Sequence, residues 1–402
     1  MVAEKKEDWA ADYDIFDPTY VRDPYPIWDE LRNSCPVAHS ERWSGSWLPT
    51  RYEDVFTIAQ DVERFSSRSI TVTPVPHEQA AAADYGVRAL PISVDPPTHT
   101  WSRRLLLPAF NLQSVQKWEP VTRDLCRSLI DGFGETGRAD AAVGYAQQIP
   151  VRVIAGMLGI PADMSDTFTG WVRGVLEIGL QNPEVRVKSR AAIIAFFREC
   201  IAERRANPGD DLISELLAAE VDGHPVSDDD VIGTCVLLLI AGIDTTWSAI
   251  GASLWHLATH AEDRARLAAD PELMTTAVEE LLRAYAPVTM ARIVNEDTEV
   301  AGCPMRSGDR VLMAFPAANR DPEKFPDADR VVIDRLKNPH IAFGVGIHRC
   351  VGSNLARMEV RVALEEWMAR IPDFWVEDPD AVTWAGGQVR GPRSLPVVFP
   401  VA

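Results

Sequence analysis

From about residue 100 to residue 290, apolar side chains recur every three or four positions, the spacing of one buried helix face. Segments such as SVQKWEPVTRDLCRSLIDGF, VRVIAGMLGI, VKSRAAIIAFFRECIAERRA and DDLISELLAAE carry it. The period returns around residue 350. There Val351, Leu355, Met358 and Val362 make one stripe and Val360, Leu364, Trp367 and Ile371 another, which predicts a well-buried helix. One stretch, SDDDVIGTCVLLLIAGIDTTWSAIGASLWHLATH, is apolar almost all round. It predicts a helix from Asp228 to Thr259 through the core, roughly 48 Å long. Ser227 and Asp230 open it at the spacing of a capping box. Strand signals are confined to short pieces: CPVAHSERWSGSWLPTRYEDV with a turn at Gly45, two strands around EVAGCPMRSGDRVLMAF, and one in the tail GPRSLPVVFPV. The expectation is a mainly α chain with small sheets at its margins. No compositional break divides residues 1–402, so one domain is expected.

Composition narrows the class. With 402 residues, 46% hydrophobic and 25% charged, the chain reads as a soluble globular protein. A formal net charge of −19 argues against nucleic acid or an anionic membrane as its main partner. The longest apolar run, Val231 to Ile243, falls short of the roughly 18 residues of a membrane span. The N-terminal MVAEKKEDWAADYDIFD has no apolar core, so no secretory leader is expected. Six scattered cysteines, at 35, 126, 200, 235, 303 and 350, form no close pair or C-x-x-C motif. A disulfide framework or zinc site is not expected, and a reducing cytoplasm fits.

Three stretches carry chemistry. In FGVGIHRCVG, three glycines, a histidine and an arginine surround Cys350 just before a helix. Free N–H groups and the helix dipole there favour a thiolate, the metal-ligating form. A cysteine acting alone suits a cofactor that brings most of its own ligands. In AGIDTT, the long helix carries a weak spot: Gly242 costs roughly 1 kcal/mol relative to Ala. Asp244 and Thr245 place a carboxyl and a hydroxyl among Leu and Ile. Such a notch is either a kink with a satisfied polar pair or a pocket over a cofactor, with room for a small molecule at Ala241 and Gly242 and an acid–alcohol pair to manage protons. In EELLR, Glu280 and Arg283 share one helix face. A fourth stretch, GFGETG, matches a dinucleotide fingerprint but follows a helix rather than a strand, so it reads as a loop.

Together these stretches resemble the cytochrome P450 family, specifically its soluble bacterial haem-thiolate monooxygenases, over nearly the whole chain. The cysteine loop matches F-G-x-G-x-H-R-C-x-G without a gap. The resemblance implies the P450 fold and haem b, with Cys350 as the proximal iron ligand and Phe343 beside it. It implies close backbone approach at Gly344, Gly346 and Gly352. The haem propionates would meet His99 and Arg103, four residues apart in DPPTHTWSRRLLLPAF, together with Arg292 and His348. Glu280 and Arg283 would form a buried ion network with Arg330, where Val331 replaces the usual aromatic.

The function so implied is monooxygenation: one atom of O2 enters a hydrophobic small molecule, and two electrons and two protons reduce the other to water. Asp244 and Thr245 would deliver the protons. Ala241, Val288 and Met290 would face the substrate, beneath a lid in SITVTPVPHEQAAAADYGVRALPISV, with a tail-end contact from WAGGQVRGP. His77 and Arg88 in that lid read as ordinary loop polarity. The chain ends twelve residues after Arg390, so electrons are expected from a separate ferredoxin and its NAD(P)H-dependent reductase. Arg104, Lys117 and Arg357 are candidates for its docking patch. Two rivals share these residues: a peroxide-driven peroxygenase, disfavoured by the intact Asp244–Thr245 pair, and a haem-binding sensor or carrier without turnover.

Overall fold

The computed structural model describes residues 8–74 and 87–401. Its axis is the helix Asp228–Thr259, whose ends fall where the apolar pattern places them. The Ser227 side chain caps it by accepting from the Asp230 N–H, and three aspartates in the first turn complement the helix dipole. This helix would be long and apolar enough to cross a membrane, yet most of it is buried by its neighbours.

Around that axis, designated α6, stand seven further helices that matter below: α1 (Tyr25–Ser34), α2 (Thr98–Phe110), α3 (Glu119–Asp131), α4 (Gln148–Met157), α5 (Pro183–Ala206), α7 (Met274–Ala284) and α8 (Ser353–Arg370). The main core gathers the apolar faces of all of these but α1, whose Ile27, Trp28 and Leu31 belong to a second cluster, and Trp247 of α6 and Trp367 of α8 are among the largest fully buried side chains. Gly242 serves this packing as well as the cavity: a Cβ there would meet Ile154 Cδ1 of α4 at 2.7 Å. The segment SVQKWEP… breaks into two helices at Lys117–Trp118, because Pro120 fits only the first turn of a new one.

The principal sheet has five strands in the order β1-β2-β7-β4-β3, from β1 (Val37–Ser40), β2 (Ser46–Pro49), β3 (Phe65–Ser66), β4 (Thr289–Val294) and β7 (Arg310–Ala314). The Gly45 hairpin joins β1 to β2 as expected, with Gly45 at φ +85°. Strand β4 was not visible as an alternating pattern because nearly all its residues are buried on both faces. Where two strands were expected there are three, since β5 (Thr298–Val300) and β6 (Cys303–Met305) form their own hairpin before β7. The tail likewise supplies two strands, Gly391–Ser394 and Pro396–Val398. GFGETG is a loop between α3 and a short strand, Arg138–Asp140.

Glu280 and Arg283 of α7 are both fully buried. Glu280 accepts from Arg283 Nε and Nη2, each at 2.8 Å, from the Val332 N–H, and from Asn338 Nδ2. The expected third member is corrected by the structure. Arg335, not Arg330, brings its guanidinium to Glu280 at 2.9 Å, while Arg330 contributes only its backbone carbonyl to Arg283. Val331 packs against the edge of the main core, so an aliphatic side chain fills the place expected of an aromatic.

Candidate active site

Cys350 sits at the end of a loop that its own N–H closes on the Phe343 carbonyl at 2.8 Å. Gly344 and Gly346 have φ of +67° and +72°, a region that L side chains rarely adopt. Gly346 also lies so near the Ala59 carbonyl that a Cβ would stand 3.0 Å from it. Gly352 caps α8, and its N–H faces the Cys350 sulfur. The thiol lies deep in the protein yet is accessible from an internal cavity. Burial raises its pKa; the Gly352 N–H and the cations Arg103, Arg349 and Arg357 oppose this without prevailing. The expectation that the helix end lowers the thiol therefore fails for the protein alone. Desolvation outweighs the Gly352 N–H and the three guanidinium groups, and a metal cation is what converts such a sulfur to thiolate.

One end of the cavity is a set of cationic and N–H groups whose one acidic neighbour among the described residues, Asp95, acts on His99 and Arg292 without pairing with them. His99 and Arg103 share a face of α2, as their spacing implies. His99 and His348 pack their rings 4.3 Å apart, and the Nε2 of each is buried without a hydrogen-bond partner. Arg292 on β4 is buried and donates to its neighbour's carbonyl, Ala291 O; burial lowers it to about 10. His348 is pushed down to about 2 by burial and by Arg292, His99 and Arg103. Arg103 reaches the Arg349 carbonyl at 2.6 Å. No carboxylate of the described residues forms a salt bridge with Arg103 or Arg292. Uncompensated buried cations are costly, so this rim fits a group carrying its own negative charges, such as the haem propionates.

Much of the remaining wall comes from α6 and the start of β4. Ala241, Gly242, Thr245 and Thr246 line it together with Val288 and Met290, as expected for Ala241, Val288 and Met290. The Thr245 hydroxyl donates back to the Ala241 carbonyl at 2.7 Å. Asp244 does not line the cavity. It is wholly buried, and its Oδ1 accepts from Arg393 Nη2 at 2.7 Å. Arg393 in turn pairs with Glu177 at 2.9 Å and lies over the Trp247 ring. Burial raises the Asp244 carboxyl, with Arg393 pulling it back. The expected acid–alcohol pair is thus split between two environments.

Of the lid, Pro91 and Ile92 line the cavity and Arg88 is exposed, while residues 75–86, including His77, lie outside the described residues. The tail stretch WAGGQVRGP runs beside the wall, where Val389 bridges Val288. Arg357, expected on an open patch, is tied to Glu279 at 2.6 Å and covers the Phe343 ring; Arg104 and Lys117 remain exposed.

Sequence reasoning missed Arg393 and Glu359. Glu359 lies fully buried on α8, lines the cavity, and has an Oε1 without a partner. Burial pushes its carboxyl up to about 8, with Thr246 opposing. The available signal was a lone acid between Met358 and Val360, inside an otherwise buried stripe.

A thiol facing an internal cavity with a cationic rim and an otherwise mainly apolar lining defines a site for a metal macrocycle held by sulfur. The comparisons agree. The cytochrome P450 family model matches residues 180–371. The mycinamicin IV hydroxylase/epoxidase of Micromonospora griseorubida is 35% identical over 379 residues, 92% of this chain and 94% of that protein. The vitamin D(3) 25-hydroxylase of Pseudonocardia autotrophica is 34% identical over 393 residues, 96% of each. A solved cytochrome P450 from Chondromyces apiculatus matches with a TM-score of 0.88 at 35% identity, covering 98% of this chain and 99% of that one. The chain belongs to the cytochrome P450 family, the haem b monooxygenases that use O2 and electrons from redox partners.

Proposed function

We propose that this enzyme oxygenates a hydrophobic or amphipathic small molecule, by hydroxylation or by O- or N-dealkylation, in the cytoplasm. Electrons would come from a ferredoxin and an NAD(P)H-dependent reductase, with Arg104 and Lys117 available to an acidic partner. The observation that carries this reading is the makeup of the cavity wall. Among the described residues, away from the cationic rim, Cys350 and Glu359, its polar side chains are Thr245 and Thr246, among Leu237, Leu238, Ala241, Val288 and Met290. An apolar guest gains roughly 25 cal/mol for each Å² it buries there. A screen of small molecules for the low-to-high-spin shift of the ferric protein tests it. Shifts confined to strongly polar compounds would sink the reading.

In this proposal Cys350 would hold the iron, and His99, Arg103, Arg292 and His348 would hold the propionates. Phe343 and Gly352 flank the sulfur, and Ala241 would lie against the bound haem. Haem, when bound, supplies the iron at which O2 is activated. Replacing Arg292 by Met removes a buried cation whose hydrogen-bond acceptor among the described residues is a backbone carbonyl. The haem-free chain is then expected to gain stability while haem is lost faster. Losing one charged hydrogen bond corresponds to a change of about ten- to a hundredfold. Transfer of haem to a scavenger protein measures it, and an unchanged rate would remove Arg292 from the set.

Thr245 has its proton committed to the Ala241 carbonyl, so its oxygen presents lone pairs to the cavity. It accepts a hydrogen bond from water or from another proton-bearing oxygen there, and so orders the proton path. Asp244, held by Arg393, supplies protons from behind the helix. Thr245→Ala should keep haem and substrate binding. Product formed per electron pair should fall on the order of tenfold or more, the balance appearing as peroxide. Unchanged coupling would refute the role of Thr245.

A further inference from the structure

Cys35 and Cys303 lie far apart in the sequence, and neither lines the cavity. Cys35 is the residue that ends α1, and Cys303 opens β6. Their sulfurs converge on one atom. The Val37 carbonyl oxygen accepts from Cys35 Sγ at 3.7 Å and from Cys303 Sγ at 3.8 Å. Both side chains are partly exposed, so a small oxidant has access. Among the other cysteines, Cys200 is also partly exposed and Cys350 faces the cavity. Cys126 is buried against Tyr145, and Cys235, beside Cys200, is wholly buried.

Two thiols sharing one acceptor are held in one neighbourhood, from which one sulfur can reach the other. The β5–β6 hairpin forms a two-stranded sheet of its own, outside the five-stranded sheet that holds β1. A small shift of Cys303 therefore disturbs none of the β4 ladder that carries Met290 and Arg292. Burial raises the Cys303 thiol, and neighbouring Cys35, Glu299 and Asp54 add to this. Little thiolate forms at this sulfur at neutral pH, which makes it slow to oxidise unless a peroxide accumulates.

We propose that Cys35 and Cys303 are an oxidation site that closes to a reversible disulfide on exposure to hydrogen peroxide. One sulfur attacks peroxide, the O–O bond breaks, and a sulfenic acid and one water result. The second sulfur attacks the sulfenic sulfur, the S–O bond breaks, and a second water leaves. Two thiols give up two electrons and two protons, and peroxide is reduced to two waters. Peroxide is also what a monooxygenase of this family releases when electron use and product formation uncouple, so the enzyme's own failed turnovers can supply the oxidant.

The test uses the intact haem protein, treated with hydrogen peroxide and then with an alkylating reagent. The expected result is two fewer alkylated thiols and one cross-linked peptide joining Cys35 to Cys303, both reversed by dithiothreitol. Cys35→Ser and Cys303→Ser should each abolish the cross-link while leaving the haem spectrum intact. Sulfinic or sulfonic acid at either residue without the cross-link would overturn the proposal, as would a cross-link through any other cysteine. Because the readout is peptide mass, damage by peroxide at Cys350 or haem does not confuse it.

Discussion

Cys350→Ser is expected to remove the thiolate-type CO-difference spectrum and reduce monooxygenation below detection, while the polypeptide still folds. The substitution replaces one sulfur by one oxygen and leaves the loop's other contacts in place, including the bond from the residue 350 N–H to the Phe343 carbonyl. What it removes is the electron-rich ligand by which such enzymes favour O–O cleavage. A serine hydroxyl surrounded by the same protein is far harder to deprotonate than the thiol, which burial already raises. A variant that keeps the thiolate-type spectrum would end the assignment of Cys350.

Glu280→Ala is expected to cost about 3–5 kcal/mol of stability, because it strands the Arg283 guanidinium without its carboxylate. Both groups have no solvent exposure, so water cannot take the place of the lost oxygen atoms. The Val332 N–H, Arg335 and Asn338 lose an acceptor at the same time. Against a net stability of about 5–15 kcal/mol, that loss is a large share of the whole. Urea unfolding of the haem-loaded protein measures it, and a midpoint unchanged from the parent would show that the network is dispensable. Arg330→Ala should be nearly silent in the same assay, since only its backbone touches Arg283. Arg335→Ala should not be.

Some of this architecture can be read from local spacing alone. Apolar residues on every face of one segment and a capping serine ahead of three acids mark the central helix from Asp228 to Thr259. Glycine at positions of positive φ around a single cysteine marks the loop, and the four-residue step from His99 to Arg103 puts both on one helix face. These features depend on neighbours within a turn or two, and a linear pattern encodes such neighbours directly. Strand β4 escaped because burial on both faces erases the alternation by which a strand is recognised.

The remaining features are decided between residues that meet only in the folded chain. Packing chooses Arg335 over Arg330 for Glu280, holds Asp244 with Arg393 from the tail, and gathers Cys35 and Cys303 at one carbonyl. Desolvation reverses the simple dipole argument for Cys350 and pushes up the Glu359 carboxyl. The amino-acid order by itself thus determined the helix framework, the cysteine loop and the kinds of group the site contains. Which charges face one another, and which lose their water, depend on distances across the fold that no local period records.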